Sequence, residues 1–258
     1  MRSVPEWALH PDLLAYYERH RDRPEDLYPS EARFLPWLAR SVRSVLDVGC
    51  AAGGFRVIWR HYAPDVRYEG VDLSPVLVDA ARRLHPDATF HQGDVLEGID
   101  LPDEHADLVQ ALGWLHWLPE QERALAELWR LAGRFLFFDL RIAADPADAR
   151  VGRQRLALVG EWDGRTETPY VTVAWPQLAR RLAALRPSAI YGYGYWGHPS
   201  ESARGVPHDV CLAAFVLERG ERDAPSVCLD LPLAWPEDAA PGAEILPPEG
   251  LAERVPQE

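Results

Sequence analysis

The stretch SVLDVGCAAGGFRVIW, Ser44 to Trp59, ends an apolar run near an acid, Asp47, then places small residues at Gly49, Ala51, Ala52, Gly53 and Gly54 before a helical face begins. Glycine loses more conformational freedom on folding than any other residue, so a cluster of it marks backbone that bends sharply or approaches something closely. Strand, small-residue loop and helix together describe a cradle for a phosphate or a nucleotide. Two further acids stand after apolar runs, Asp72 in YEGVDLS and Asp94 in FHQGDVLE. An acid at the end of the second strand of such a fold can accept from both hydroxyls of a ribose. His116, in LGWLHWL, is a candidate for aligning an acceptor or removing its proton. Each residue also has a structural reading. Asp47 alone suits a strand end, Asp72 before Ser74-Pro75 suits a helix cap, and His116 suits the packed start of a helix.

These groups need elements to position them, and strand and helix signals alternate along the chain. SVLDVGC leads into a helix through Trp59, and VRYEGVDLS precedes PVLVDAARRLH. ATFHQGDVLE and HADLVQALGWLHW come next, then the helix PEQERALAELWRLA and the strand GRFLFFDLRI. Such alternation predicts an α/β fold with a mostly parallel sheet covered on both faces. The rhythm lapses between Ala143 and Trp175, returns in the helix WPQLARRLAALRP, and ends in two strands, SAIYGYGYWGHP and HDVCLAAFVLERG. Tyr191, Tyr193 and Tyr195 alternate with glycine, so three rings share one strand face and the other face admits close approach. Tyr191 and Tyr193 read as a core ladder. Beyond Gly220 the chain is rich in Pro, Ala and acids, which predicts an extended, partly disordered arm.

Composition limits the function. The 258 residues suit one large domain with an inserted cap, and the net charge of −13 argues against general nucleic-acid or anionic-membrane binding. Neither Lys nor Asn occurs, which excludes lysine Schiff-base chemistry and a Walker lysine. Cys50, Cys211 and Cys228 are widely separated, so no metal site is expected and a reduced cytoplasmic setting is. No apolar stretch approaches a membrane span, and the N-terminus has no signal-peptide core. The oligomeric state stays open.

A dinucleotide fingerprint, G-x-G-x-x-G, is matched only loosely by Gly49, Ala51 and Gly54. Taken in order, LDVGCAAGG, YEGVDLS, FHQGDVLE and ADLVQALGWLHWL resemble the successive motifs of the class I S-adenosylmethionine-dependent methyltransferases. The resemblance spans Val45 to Ile142 and extends to the strand pair Ala189 to Glu218. It implies a Rossmann-like, doubly wound sheet of seven strands, the last antiparallel. It divides the chain into an N-terminal helical lid (1–43), a cofactor-binding core (44–142), a substrate cap (143–175), the rest of the sheet (176–219) and the arm (220–258). It also implies S-adenosyl-L-methionine as cofactor. In that reading Asp47 lies near the methionine end, and Gly49, Ala51 and Gly53 keep the loop low. Asp72 takes the ribose and Asp94 the adenine amino group, with Leu73 and Val95 flanking the ring. Gly113 and Trp114 border the methionine.

The resemblance opens the loop after YGYGYWG toward the acceptor, making Tyr195, Trp196 and His198 substrate-facing. Tyr16, Tyr28 and Arg33 belong to the lid, and Arg153, Gln154, Trp162 and Tyr170 to the cap. The expected activity is methyl transfer to an oxygen or nitrogen of a small molecule, with His116 aligning or deprotonating it. Two alternatives remain, a non-catalytic module that binds the cofactor and a protein methyltransferase.

Overall fold

The computed structural model describes Tyr17 and residues 21–143, 145–155, 167–249 and 251. Five parallel strands, β1 (Ser44–Val48), β2 (Arg67–Asp72), β3 (Thr89–Gln92), β4 (Ala106–Ala111) and β5 (Ala132–Ala143), lie in the order β3-β2-β1-β4-β5. The order reverses at β1, so the loops after β1 and β4 diverge at the carboxyl end of the sheet and leave a crevice. Among the described residues the faces are covered by α1 (Pro29–Ser41), α2 (Gly54–Tyr62), α3 (Pro75–Leu84), α4 (Gln121–Leu131) and α5 (Trp175–Ala184).

Alternation along β5 explains why both faces need cover. Phe135 and Phe137 are buried with Phe34, Leu38, Ile58 and Val78 of α1 to α3. Leu136 and Phe138 are buried with Leu125 and Leu128 of α4 and Leu178 and Leu182 of α5. Each such side chain contributes ~1.5–3 kcal/mol when fully buried. Local chemistry starts the helices. Ser74 caps α3 by accepting from the Leu77 N–H at 3.3 Å, with Pro75 at the first helical position. The Glu31 carboxylate accepts from the Tyr28 N–H at 2.9 Å at the head of α1.

Beyond β5 the chain departs from its expected outline. The lapse in rhythm contains a hairpin of β6 (Arg150–Arg155) and β7 (Glu167–Ala174), and β7 pairs with the end of β5. Two further strands, β8 (Ala189–Gly197) and β9 (Val210–Glu218), follow α5, with β9 running antiparallel between β5 and β8. Among the described residues the sheet has eleven strands rather than seven, because β6 and β7 join it at the end of β5 and β10 (Ser226–Asp230) and β11 (Glu244–Leu246) extend it beyond β8. The arm, expected to be extended and partly disordered, thus contributes two short strands to the sheet and is otherwise turns and irregular chain over its described residues. Its strands are too short, and its prolines too frequent, to give a periodic signal.

The glycines of YGYGYWG explain how this segment docks. A Cβ on Gly192 would lie 2.7 Å from the Leu229 side chain, and one on Gly194 would lie 2.8 Å from Leu231. On the opposite face Tyr191 is buried edge-on against Trp37, as the core-ladder reading expects. Trp175 secures the continuation by donating its indole N–H to the Ala234 carbonyl at 2.6 Å.

Val227 in β10 is fully buried, whereas Ile245 in β11 is exposed. Val227→Ala should lower stability by ~1.5–3 kcal/mol through lost burial and a residual cavity. Ile245→Ala should be near neutral. Urea denaturation checks both, and equal effects would detach β10 from the core.

Candidate functional site

The crevice opens into a cavity of about 840 Å³ that runs from the β1–β2 loop ends to the β6–β7 hairpin. At one end the β1 loop turns under tight control. Gly49 has φ +81°, and its N–H donates to the Val71 carbonyl at 2.7 Å. A Cβ there would lie 2.2 Å from the Trp114 indole, whose N–H donates to the Val48 carbonyl at 2.7 Å. The smallness of Gly49 thus admits Trp114, which itself lines the cavity.

Asp72 sits at the end of β2, and its two oxygens accept from the Ala51 and Ser74 N–H groups, each at 2.8 Å. The first of these bonds holds Ala51 at φ +49°, where a side chain is ordinarily unwelcome. Each carboxylate oxygen has two acceptor sites, so Asp72, which also receives the Leu73 N–H, keeps acceptor capacity beyond its backbone bonds. Asp94 accepts from the Leu96 N–H at 2.9 Å through one oxygen. Leu73 and Val95 supply apolar wall between the two acids, and all four residues line the cavity. An acidic pair flanking an apolar slot fits a nucleoside, diol at one end and base at the other.

The other end is built by β5 and the hairpin. Asp139 and Arg141, two residues apart on β5, share one strand face and form an ion pair of 2.6 Å. The second Asp139 oxygen accepts from the Gly113 N–H at 2.5 Å, and Gly113 has φ +84°. Burial opposes charge on both partners, but their pairing wins: Arg141 is held up and Asp139 down. Burial raises the Tyr170 and Tyr195 phenols, so both enter as neutral hydrogen-bond donors. Arg21 pairs with buried Glu31 and stacks over Phe55, with 4.8 Å to the ring centroid.

His116 lies in a short turn, Leu115–Trp117, and its ring meets Tyr170 edge-on at 5.3 Å. Burial pushes its pKa down to about 3, Arg141 adds to the effect, and Asp139 opposes it. Its Nδ1 is buried without a partner. The imidazole is therefore neutral throughout the physiological range, and a feeble base.

With this geometry in hand, comparison with known proteins is decisive. Residues 46–134 match the family model of a methyltransferase domain. Trans-aconitate 2-methyltransferase of Escherichia fergusonii is 30% identical over 121 residues, 45% of this chain and 43% of that enzyme. This chain carries a class I S-adenosylmethionine-dependent methyltransferase domain. It spans less than half the length of the curated relatives it matches. The fold recurs in the YcgJ protein of Bacillus subtilis, with a TM-score of 0.50, 16% identity and coverage of 73% of this chain and 98% of that one. It recurs in the [4+2]-cyclase SpnF, with a TM-score of 0.52, 15% identity and coverage of 82% and 93%.

Within the methyltransferase domain, Gly49, Ala51, Asp72, Leu73, Asp94, Val95, Gly113, Trp114 and His116 all line the cavity, as do Tyr28, Tyr195 and His198. Three expected residues are placed elsewhere, and two follow from strand alternation. Val48 faces the cavity, so Asp47 faces away and accepts from the Tyr68 hydroxyl at 2.5 Å, where burial pushes its pKa up to about 6. Tyr195 faces the cavity, so its neighbour Trp196 does not, and 44% of it is exposed. Gly53 is small for another reason, since a Cβ there would lie 2.7 Å from His85. Tyr16 and Trp162 lie outside the described residues. Arg33 stacks near Tyr193 at 5.9 Å, and Gln154 and Tyr170 of the hairpin reach the cavity.

Sequence reading missed Arg21, Asp139, Arg141 and Tyr17, all of which line the cavity. The signal for two of them was present. FFDLRI interrupts a buried strand with opposite charges two apart, an arrangement that demands their pairing on one strand face.

The His116 environment has a thermodynamic consequence. Its folded pKa of about 3 lies below the ordinary histidine value, so the unfolded chain takes up a proton first as pH falls. Stability is lost from about pH 6.5 toward pH 3, at up to ~1.4 kcal/mol per pH unit. Asp47, with its raised pKa, acts in the opposite sense between about pH 4 and pH 6. Between pH 7 and pH 5, His116→Gln should therefore lose ~2 kcal/mol less than the parent in denaturant titrations. Parallel losses would show that the folded protein protonates His116 normally.

Proposed function

We propose that the protein transfers a methyl group from S-adenosylmethionine to an oxygen of a small anionic acceptor. The observation that carries this is a single cavity with a nucleoside-shaped acidic end and a donor-rich cationic end. Asp72 would hold the ribose hydroxyls, Asp94 the adenine amino group, and Leu73 with Val95 the ring. Trp114 and Gly113 would border the methionine. When bound, the cofactor supplies an electrophilic sulfonium methyl, and the protein aligns the nucleophile and excludes water.

The acceptor class follows from what the opposite end offers. Arg141, Tyr170 and Tyr195 supply donors, and Asp139 fixes the guanidinium in place. Proton removal from an alcohol or amine needs a base tuned near the operating pH. Neutral His116, with a pKa of about 3, is unsuited to that task. A carboxylate needs no such base because it arrives ionised. The curated relatives include trans-aconitate 2-methyltransferases, whose named substrate is a carboxylic acid. In this reading His116 orients the acceptor.

Calorimetry with S-adenosylhomocysteine tests the cofactor half. Asp72→Ala should weaken binding about 10- to 150-fold for each ribose bond lost, at ~1.5–3 kcal/mol per charge-assisted bond. Absence of binding by the folded parent would refute the reading. Methyl transfer to a panel of carboxylates and their matched amides tests the acceptor half. Product should form from carboxylates, fall by roughly tenfold or more in Arg141→Gln, and survive in His116→Gln. Cofactor binding with no methylated product would instead favour a binding module.

A further inference from the structure

We infer that His198, His208 and Asp209 form a binding site for one divalent transition-metal ion, with zinc as the type ligand, at the rim of the cavity. The methyl-transfer reading does not use these groups as a set, and no cysteine takes part. Their three donor atoms all lie within 4.8 Å of one another. The Nδ1 atoms of His198 and His208 are each 3.1 Å from the same Asp209 oxygen. Donors around tetrahedral zinc, bound at about 2.0 Å, stand about 3.3 Å apart, so both nitrogen–oxygen edges already have ligand spacing.

The fold enforces this convergence. Strands β8 and β9 are paired along nine residues, ending at Gly197 opposite Val210. His198 and Asp209 are the next residues outward on each side, so the ladder sets them across the mouth of the hairpin. The intervening loop is also held from the other side. Arg153 and Arg204 exchange backbone hydrogen bonds of 3.0 and 2.7 Å, and the Ser202 hydroxyl donates to the Arg155 carbonyl at 2.9 Å. Ligands on a tethered loop lose little entropy when an ion binds.

Chemistry and access agree. Two imidazoles and a carboxylate, without thiolate, suit zinc and its first-row neighbours and leave positions for water or an incoming ligand. The three side chains are 60% to 85% exposed, which gives an ion a path in. His198 also lines the cavity, so the ion would sit where the acceptor enters. Among the described residues no other three His, Cys, Asp or Glu side chains converge this closely. His91 and His105 meet Glu69, at 3.5 and 3.0 Å, without forming such a set, and they provide an internal control.

The test is competition for zinc between the full chain and a chromogenic chelator. The parent should take up one equivalent with micromolar affinity. His208→Ala and Asp209→Asn, both at exposed positions, should each weaken it roughly tenfold or more, while Glu69→Gln leaves it unchanged. Cobalt in place of zinc should give a visible absorption band in the parent that both rim variants lose. Uptake equal in all four proteins, or none by the parent at micromolar zinc, would overturn the proposal. Neither result bears on S-adenosylhomocysteine binding, so the two readings fail separately.

Discussion

The carboxylate of Asp139 joins three parts of the molecule that would otherwise be independent. One oxygen holds the Gly113 N–H, which fixes the left-handed turn after β4, and the other holds Arg141. That turn delivers Trp114 across the vacancy at Gly49, and the indole N–H then closes on Val48 of β1. A buried charge with one partner removed is costly, commonly by 3–5 kcal/mol. The ion pair is thus better understood as a positional constraint than as a source of stability. The β1 loop, the β4 turn and the Arg141 end of the cavity all take their places from it.

How far the sequence disclosed this can be judged residue by residue. The cavity positions of Asp72 and Asp94 were legible because each acid follows a strand in a repeating strand–loop–helix pattern. The acceptor wall was less legible because Arg141, Tyr170 and Tyr195 come from elements far apart in the chain, and only β5, β7 and β8 folded together bring them near. Asp47 and Trp196 were misplaced by one step of strand alternation, a matter of which face is turned inward. The β10 strand was hidden because it docks beside a glycine of β8 rather than through a pattern of its own, and β11 because it is three residues long and mostly exposed.

The two ends of the cavity are made by different physical means. Backbone geometry dominates the Asp72 end, where positive φ angles at Gly49 and Ala51 and backbone-bonded acids set the shape. Side chains dominate the Arg141 end, much of it on a hairpin and a loop outside the parallel core.

The placement of β9 between β5 and β8 also matters while the chain is being made. As synthesis passes Ala143, β5 presents an unpaired backbone edge whose partner does not begin until Val210. At ribosomal speed that interval lasts seconds, long enough for an unpaired edge to meet a neighbouring nascent chain. Only when β9 emerges from the exit tunnel does the sheet close, and β8 then waits in turn for β10. Until Val210–Glu218 is released, the helices already made are the chain's own means of shielding that edge.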